Sequence, residues 1–238
     1  MPSRSGKVLV RTEIRIVARA GALPRISATG GLSGRRTGPG TVHLIGTAAT
    51  PLGGDELDIS IVVEPGARLV LRSVAATIAL PGRASPISTA TWTVDVGAGG
   101  EVDIEPEPTV VAGGADHRTV TTVRMADDSR VRVAERVQIG RTGEDKGFWR
   151  GDLLADVGDL PLVRHRLELG ADADTDDLIS GPRAVHSELR YPDDRPAATF
   201  GTTAAVLPLA AGGSLSTWTG ALLGTAPPFD LRPPARGR

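Results

Sequence analysis

The chain has 238 residues, with 27 Lys and Arg against 28 Asp and Glu, a formal net charge of −1, 3% aromatics and no cysteine. That balance excludes a basic nucleic-acid face, an aromatic platform for stacking bases, a disulfide framework and a thiolate metal site. Lys7 and Lys146 are the only lysines, so arginine carries nearly all the positive charge.

The first stretch, MPSRSGKVLVRTEIRIV, places charges on both sides of short apolar pieces. It lacks the continuous apolar core of a signal peptide, and no stretch reaches the ~20 apolar residues that span a bilayer. The expectation is a cytoplasmic protein with neither membrane nor nucleic acid as a partner. From there strict alternation dominates, which is the mark of half-buried strands. Ile14 and Ile16 share a face, then the glycine-rich connection ATGGLSGRRTGPG (28–40) interrupts. Ile59, Ile61 and Val63 alternate next, followed by Trp92, Val94 and Val96, by Val102 and Ile104, and by Val131 and Val133. In VRHRLEL the shared face holds Val163, His165, Leu167 and Leu169. Only TDDLISGPRAVHSELR leaves room for a short helix, and Pro182 interrupts it.

Turns rich in Gly, Asp or Pro separate these runs: EPGARL, VGAGGEV, MADDSRV, VGDLPLV and LAAGGSLS. The first inward residue after each of the first four is Leu69, Val102, Val131 and Leu160, spaced by 33, 29 and 29 residues. The spacing predicts an all-β fold, an elongated stack of antiparallel strand–turn–strand units in two layers, with at most one or two short helices. One β domain is expected over 1–225, followed by a disordered Pro/Arg-rich tail over 226–238.

Catalytic signatures are missing. There is no G-x-S-x-G and no H-E-x-x-H. Lys146 lacks the neighbours of a phosphate-binding lysine. DADTDD (172–177) has Asp177 and Arg183 where a calcium loop needs Gly and Glu. His43, His117, His165 and His186 show no ligand spacing, with His117 in a turn-like stretch and the least constrained. Some polar residues do stand out. Thr77 follows SVAA, Glu105 and Glu107 alternate with prolines, Glu135 precedes RVQIG, and Asp55 follows two glycines. Two readings of these carboxylates stay open, ordinary solvation and a line of oxygen ligands along a channel.

Four segments, taken in order, bring a family into view. GPGTVHL, GGDELDISIVVEPGARLVLRSVAAT, VDVGAGGEVDIEPEPTVV and DSRVRVAERVQIGRTGED run from about Gly38 to Leu169. Together they resemble the urease accessory protein D family, called H in some organisms. TAATPLGGD, AATIALPG and GFWRG depart from its usual pattern and mark a divergent member. The resemblance implies a non-catalytic scaffold in urease maturation, with no tightly bound cofactor. Such a scaffold binds the urease apoprotein and recruits accessory proteins F and G, of which G is a GTPase. It also implies transient handling of nickel(II) along an internal polar tunnel. By motif position Asp55, Thr77, Glu105 and Glu144 are then the expected metal contacts. The competing expectations are a β-sandwich or β-solenoid partner-binding module unrelated to urease, and a metal-dependent enzyme built from scattered His and Asp.

Overall fold

A computed structural model describes residues 11–144, 146–171, 173 and 181–226. The strands in chain order are β1 (Arg11–Arg19), β2 (Ala22–Thr29), β3 (Leu32–Gly38), β4 (Thr41–Gly46), β5 (Glu56–Val63) and β6 (Arg68–Ser73). Then come β7 (Thr77–Ala79), β8 (Ile87–Val96), β9 (Glu101–Ile104), β10 (Thr109–Val111), β11 (Asp116–Met125) and β12 (Arg130–Ile139). The last are β13 (Phe148–Val157), β14 (Leu160–Gly170), β15 (Ala184–Tyr191), β16 (Ala198–Phe200), β17 (Ala204–Pro208) and β18 (Ser214–Gly220). A 3-10 turn at Leu223–Thr225 is the only helical piece among the described residues.

Two sheets result. The first runs β14-β13-β11-β8-β5-β1-β2, and the second β16-β17-β18-β15-β12-β9-β6-β4-β3, with β7 and β10 pairing beside β12. The pairing differs from the antiparallel expectation. In the middle of the first sheet β1, β5, β8, β11 and β13 are all parallel. In the second, β4, β6, β9 and β12 are parallel as well. Antiparallel pairs occur toward the ends of the stack, as in β1–β2, β13–β14, β3–β4 and β12–β15. The reason lies in the turns. EPGARL, VGAGGEV and MADDSRV do not fold the chain back beside itself but carry it from one sheet to the other. Successive units then stack in parallel, as in a solenoid.

The sequence spacing has a direct meaning here. Leu69, Val102 and Val131 are lateral neighbours in one row, so steps of 33 and 29 residues measure one coil each. Leu160 does not belong to that row, because VGDLPLV is a true hairpin between β13 and β14. Backbone hydrogen bonds tie the stacked turns together: Gly97 N to Val63 O at 2.8 Å, Gly66 N to Ala98 O at 2.9 Å and Ala126 N to Val96 O at 3.0 Å. A Cβ on Gly97 would stand 2.9 Å from Pro65 of the adjacent turn, so the coils meet here with no room for a side chain.

Inward-facing residues of both sheets meet in one apolar cluster, including Ile16, Ile61 and Val94 from the first sheet and Leu69, Leu71 and Val102 from the second. Three local expectations change. The glycine-rich connection over 28–40 is largely strand, because Leu32–Gly38 pairs with β4. The proposed helix gives way to strand over Ala184–Tyr191, while 174–180 lies outside the described residues. His117 is no turn residue. It falls in the inward phase of β11 and is 2% exposed. The acidic stretch near 172–177 and the tail beyond Ala226 fall almost wholly outside the described residues.

Candidate functional site: a polar cavity between the sheets

The inward rows change character along the strands. Near the stacked turns each rung of the first sheet is apolar, as in Val63–Val96–Met125–Val157. At the other end the rungs read Ser88–His117–Trp149 and Ala90–Thr119–Gly151. On the second sheet β12 supplies Val131, Val133, Glu135, Val137 and Ile139 in one phase. Alternation therefore drives a carboxylate into the interior, at a place where four neighbours of the same phase are aliphatic.

A cavity of ≈ 650 Å³ opens at this level. Its lining is mostly apolar and includes Val74 and Ile78, which are 63% and 45% exposed, with Glu107, Arg136 and Arg141 as charged members. Deeper in, Trp92, His117, Thr119, Thr121, Val133 and Glu135 line it. Thr119 Oγ1 reaches across from the first sheet and donates to Glu135 Oε1 at 2.8 Å. No cation pairs with Glu135 among the described residues. Burial pushes the Glu135 carboxyl up to about 7, and the Thr119 hydrogen bond only partly offsets this. His117 Nδ1 lies 2.9 Å from Ser88 Oγ. Burial lowers its pKa to about 4, with Asp116 pulling the other way. The imidazole is neutral at neutral pH.

The four residues expected to contact metal are dispersed. Thr77 opens β7 and lines the cavity. Asp55, Glu105 and Glu144 are not among the lining residues. Asp55 is 8% exposed, and its Oδ2 accepts from Thr50 Oγ1 at 3.0 Å and Leu52 N at 2.9 Å, ordering the loop at the rim. Glu105 sits in an outward ion network, where Arg132 Nη1 donates to its Oε2 at 2.7 Å and to Asp103 Oδ1 at 2.9 Å. Burial raises the Glu105 pKa, but the Arg132 hydrogen bond and charge outweigh it and the net direction is down. Glu144 anchors the GRTGE loop. The Arg141 guanidinium holds its carboxyl at about 2, helped by the Gly113 amide, which donates to Oε2 at 2.9 Å. Among the described residues no group of three or more His, Cys, Asp or Glu is placed to hold a metal ion. Glu135, His117, Thr119 and Thr121 form the polar wall instead. The signal that finds them is a polar residue in the apolar phase of an alternating strand.

The resemblance read from the sequence can now be set against known proteins. Residues 29–208 match the family model of the UreD urease accessory protein. This chain belongs to the UreD family. UreD of Frankia alni is 45% identical over 184 residues, which cover 68% of this chain and 61% of the relative. UreD 1 of Saccharopolyspora erythraea is 39% identical over 190 residues, covering 79% of this chain and 74% of the relative. UreD of a Parafrankia strain is 40% identical over 179 residues, covering 74% of this chain and 58% of the relative. The chain thus spans about three fifths of the length of two of these relatives. Membership groups it with the accessory proteins of urease and not with the enzyme. In the described part no helix is long and apolar enough to cross a membrane.

Proposed function

We propose that the chain is a non-catalytic scaffold of urease maturation. It binds the urease apoprotein, recruits accessory proteins F and G, and lets nickel(II) pass through the cavity between its sheets. Glu135 is the observation that carries the transit reading. An interior carboxylate without a counter-cation attracts a divalent ion, and one carboxylate with one imidazole and a few hydroxyls is too small a set to trap it. Nickel favours nitrogen-rich sites for tight binding, so a wall with His117 as its one imidazole gives weak, brief contact. Thr77 stands on this route at the rim. Asp55, Glu105 and Glu144 support it from outside the cavity by holding the loops and the strand end around it. Family membership favours this reading over an unrelated partner-binding module.

The test is co-expression of the tagged chain with the urease subunits and accessory proteins F and G from one source. Pull-down on the tag and nickel-dependent urease activity are then read together. The scaffold reading expects co-purification and activity that depends on the chain. The transit reading expects Glu135→Ala to lower activation at unchanged co-purification. Full activation by that variant would overturn the transit route, and absence of any partner would overturn the scaffold.

A further inference from the structure

The edge strands at the two ends of the stack treat their charges differently. From Ile14 to Gly54 the sequence holds no Asp or Glu, although it holds Arg15, Arg19, Arg25, Arg35 and Arg36. Two of these are engaged: Arg15 Nη1 donates to Ser60 Oγ at 3.0 Å, and Arg19 pairs with Glu64 at 3.1 Å. Arg25, Arg35 and Arg36 are exposed and meet no carboxylate among the described residues. Arg36 Nε donates to the backbone oxygen of Pro24. Charged side chains commonly guard an open sheet edge, and β14, at the opposite edge of the first sheet, is guarded in that way. There Arg164 pairs with Asp156, and Arg166 Nε donates to Asp152 Oδ1 at 2.6 Å. The charge on β14 is neutralised within the chain, and the charge on β2 and β3 is not.

Backbone geometry adds a second feature. β2 is the last strand of the first sheet, and β3 is the last of the second. Each leaves one row of N–H and C=O groups without a strand partner among the described residues. Between them lies an open groove of ≈ 440 Å³, lined by Ile26, Ala28, Ser33, Gly34, Arg35 and Arg36. Its floor is close-packed at Gly34, where a Cβ would stand 3.1 Å from Ile26 Cγ2. Arg35 and Arg36 follow one another on a strand, so their side chains leave on opposite faces. A strand added beside β3 presents its own successive side chains to the same two faces.

We propose that this groove binds an extended acidic segment of a partner protein, which continues the second sheet along β3 and sets two adjacent carboxylates against Arg35 and Arg36. Main-chain hydrogen bonds to β3 supply the docking, as in other strand additions. Guanidinium–carboxylate pairs supply the selection. Arg25 lies outside the groove lining and adds to the positive field that draws the segment in. A nucleic-acid strand fits less well, because no aromatic side chain lines the groove to stack its bases. The inference is independent of the nickel route, and it rests on the scaffold reading only in requiring a protein partner.

The probe is a fluorescein-labelled peptide, Thr-Val-Glu-Asp-Val-Thr, titrated with the full chain and followed by anisotropy. Saturable one-to-one binding is expected, weaker at high salt, and absent for the same peptide with Gln-Asn in place of Glu-Asp. Arg35→Gln and Arg36→Gln each raise the half-saturation concentration about threefold or more, and together about tenfold. Arg83→Gln, an exposed arginine outside the groove, leaves it unchanged. Both groove arginines are exposed, so an unchanged urea midpoint shows that the variants fold. Hydrogen exchange reads the strand addition itself: the peptide slows exchange of amides within Leu32–Gly38 and leaves those of Leu160–Gly170 alone. Equal binding of the neutral peptide, equal loss with Arg83→Gln, or no added protection over Leu32–Gly38 overturns the proposal. Displacement of the peptide by a single-stranded oligonucleotide at equal charge also overturns it, since the groove then reads charge and not a strand. Co-purification with the urease subunits, run on the same preparations, keeps the two failures apart. A chain that pulls down urease but ignores the peptide loses the groove and keeps the scaffold. A chain that binds the peptide through Arg35 and Arg36 but pulls down no urease keeps the groove and loses the scaffold.

Discussion

Two buried groups of opposite chemistry make the stability of this chain depend on pH in a way that one substitution exposes. Glu135 moves from 4.5 to about 7 on folding, so the unfolded chain ionises first. A raised carboxylate pKa gives stability that is full below about 4.5 and is lost as pH rises through about 7. Its size is about 3 kcal/mol at ~1.36 kcal/mol per pH unit. His117 moves from 6.5 to about 4, so the unfolded chain takes up a proton first. Stability from His117 is full above about 6.5 and is lost as pH falls through about 4, again by about 3 kcal/mol. Between the two ordinary pKa values the terms have opposite slopes and nearly cancel.

Glu135→Gln removes one slope and keeps an oxygen for Thr119 to donate to. The variant is then expected to gain on its parent by about 3 kcal/mol between roughly pH 4.5 and 7.5. Urea denaturation of both chains at several pH values measures this, since the other titrating groups are common to both and drop out of the difference. Thr119→Val supplies the complementary case. Its hydrogen bond lowers the Glu135 pKa, so losing it shifts the pH dependence further upward. A parent–variant difference that stays constant across this range would refute the buried, uncompensated carboxylate, and the transit reading built on it.

Other perturbations test the frame. Arg132→Ala leaves Glu188, 1% exposed, with Arg190 as its remaining ion-pair partner; breaking up such a buried pair costs about 3 kcal/mol, read from the urea midpoint. Gly151→Ala places a methyl group into the Trp149 ring and is expected to cost about 1–3 kcal/mol, with a changed near-ultraviolet circular dichroism signal. Glu144→Ala frees the Gly113 amide from its acceptor, so that amide exchanges faster with deuterium while the strands of the stack keep their protection.

Much of this was open to reading in the sequence. Alternation through Ile59, Ile61 and Val63, and through Val131 and Val133, places the core correctly, because a period of two has one physical cause. Strand direction is another matter. A run such as EVDIE has the same pattern whether its neighbour is parallel or antiparallel, and a short Gly-rich turn serves a hairpin or a crossing between sheets. The similar steps of 33 and 29 residues from Leu69 to Val102 to Val131 held the answer, since stacked coils put those three side by side. Glu135 was visible as a carboxylate in an apolar phase. His117 was hidden because the glycines before it suggest a turn, and the turn ends just before β11 begins. Asp55, Glu105 and Glu144 were chosen by motif position, and a motif does not reveal that arginines or backbone amides already occupy a carboxylate.

Parallel stacking also explains why the cavity lies where it does. Each of the parallel strands β1, β5, β8, β11 and β13 enters from the far end and leaves at its turn, so depth along the strand is the same in every coil. Residues at equal distance from the turn therefore form continuous layers across the stack. Val63, Val96, Met125 and Val157 make one such layer dry, and Ser88, His117 and Trp149 make another polar. A meander, with its strands reversing at every turn, has no end common to all its turns at which such layers collect. The dry layers supply the burial that holds the sheets together, at about 25 cal/mol per Å² of apolar surface. The polar layers then carry an ionisable group without a counter-charge at a cost that the burial in the dry layers offsets. Stability and function are thus separated by depth along one set of strands. Substitutions near the stacked turns are expected to unfold the chain, and those around Glu135 to leave it folded with an altered wall.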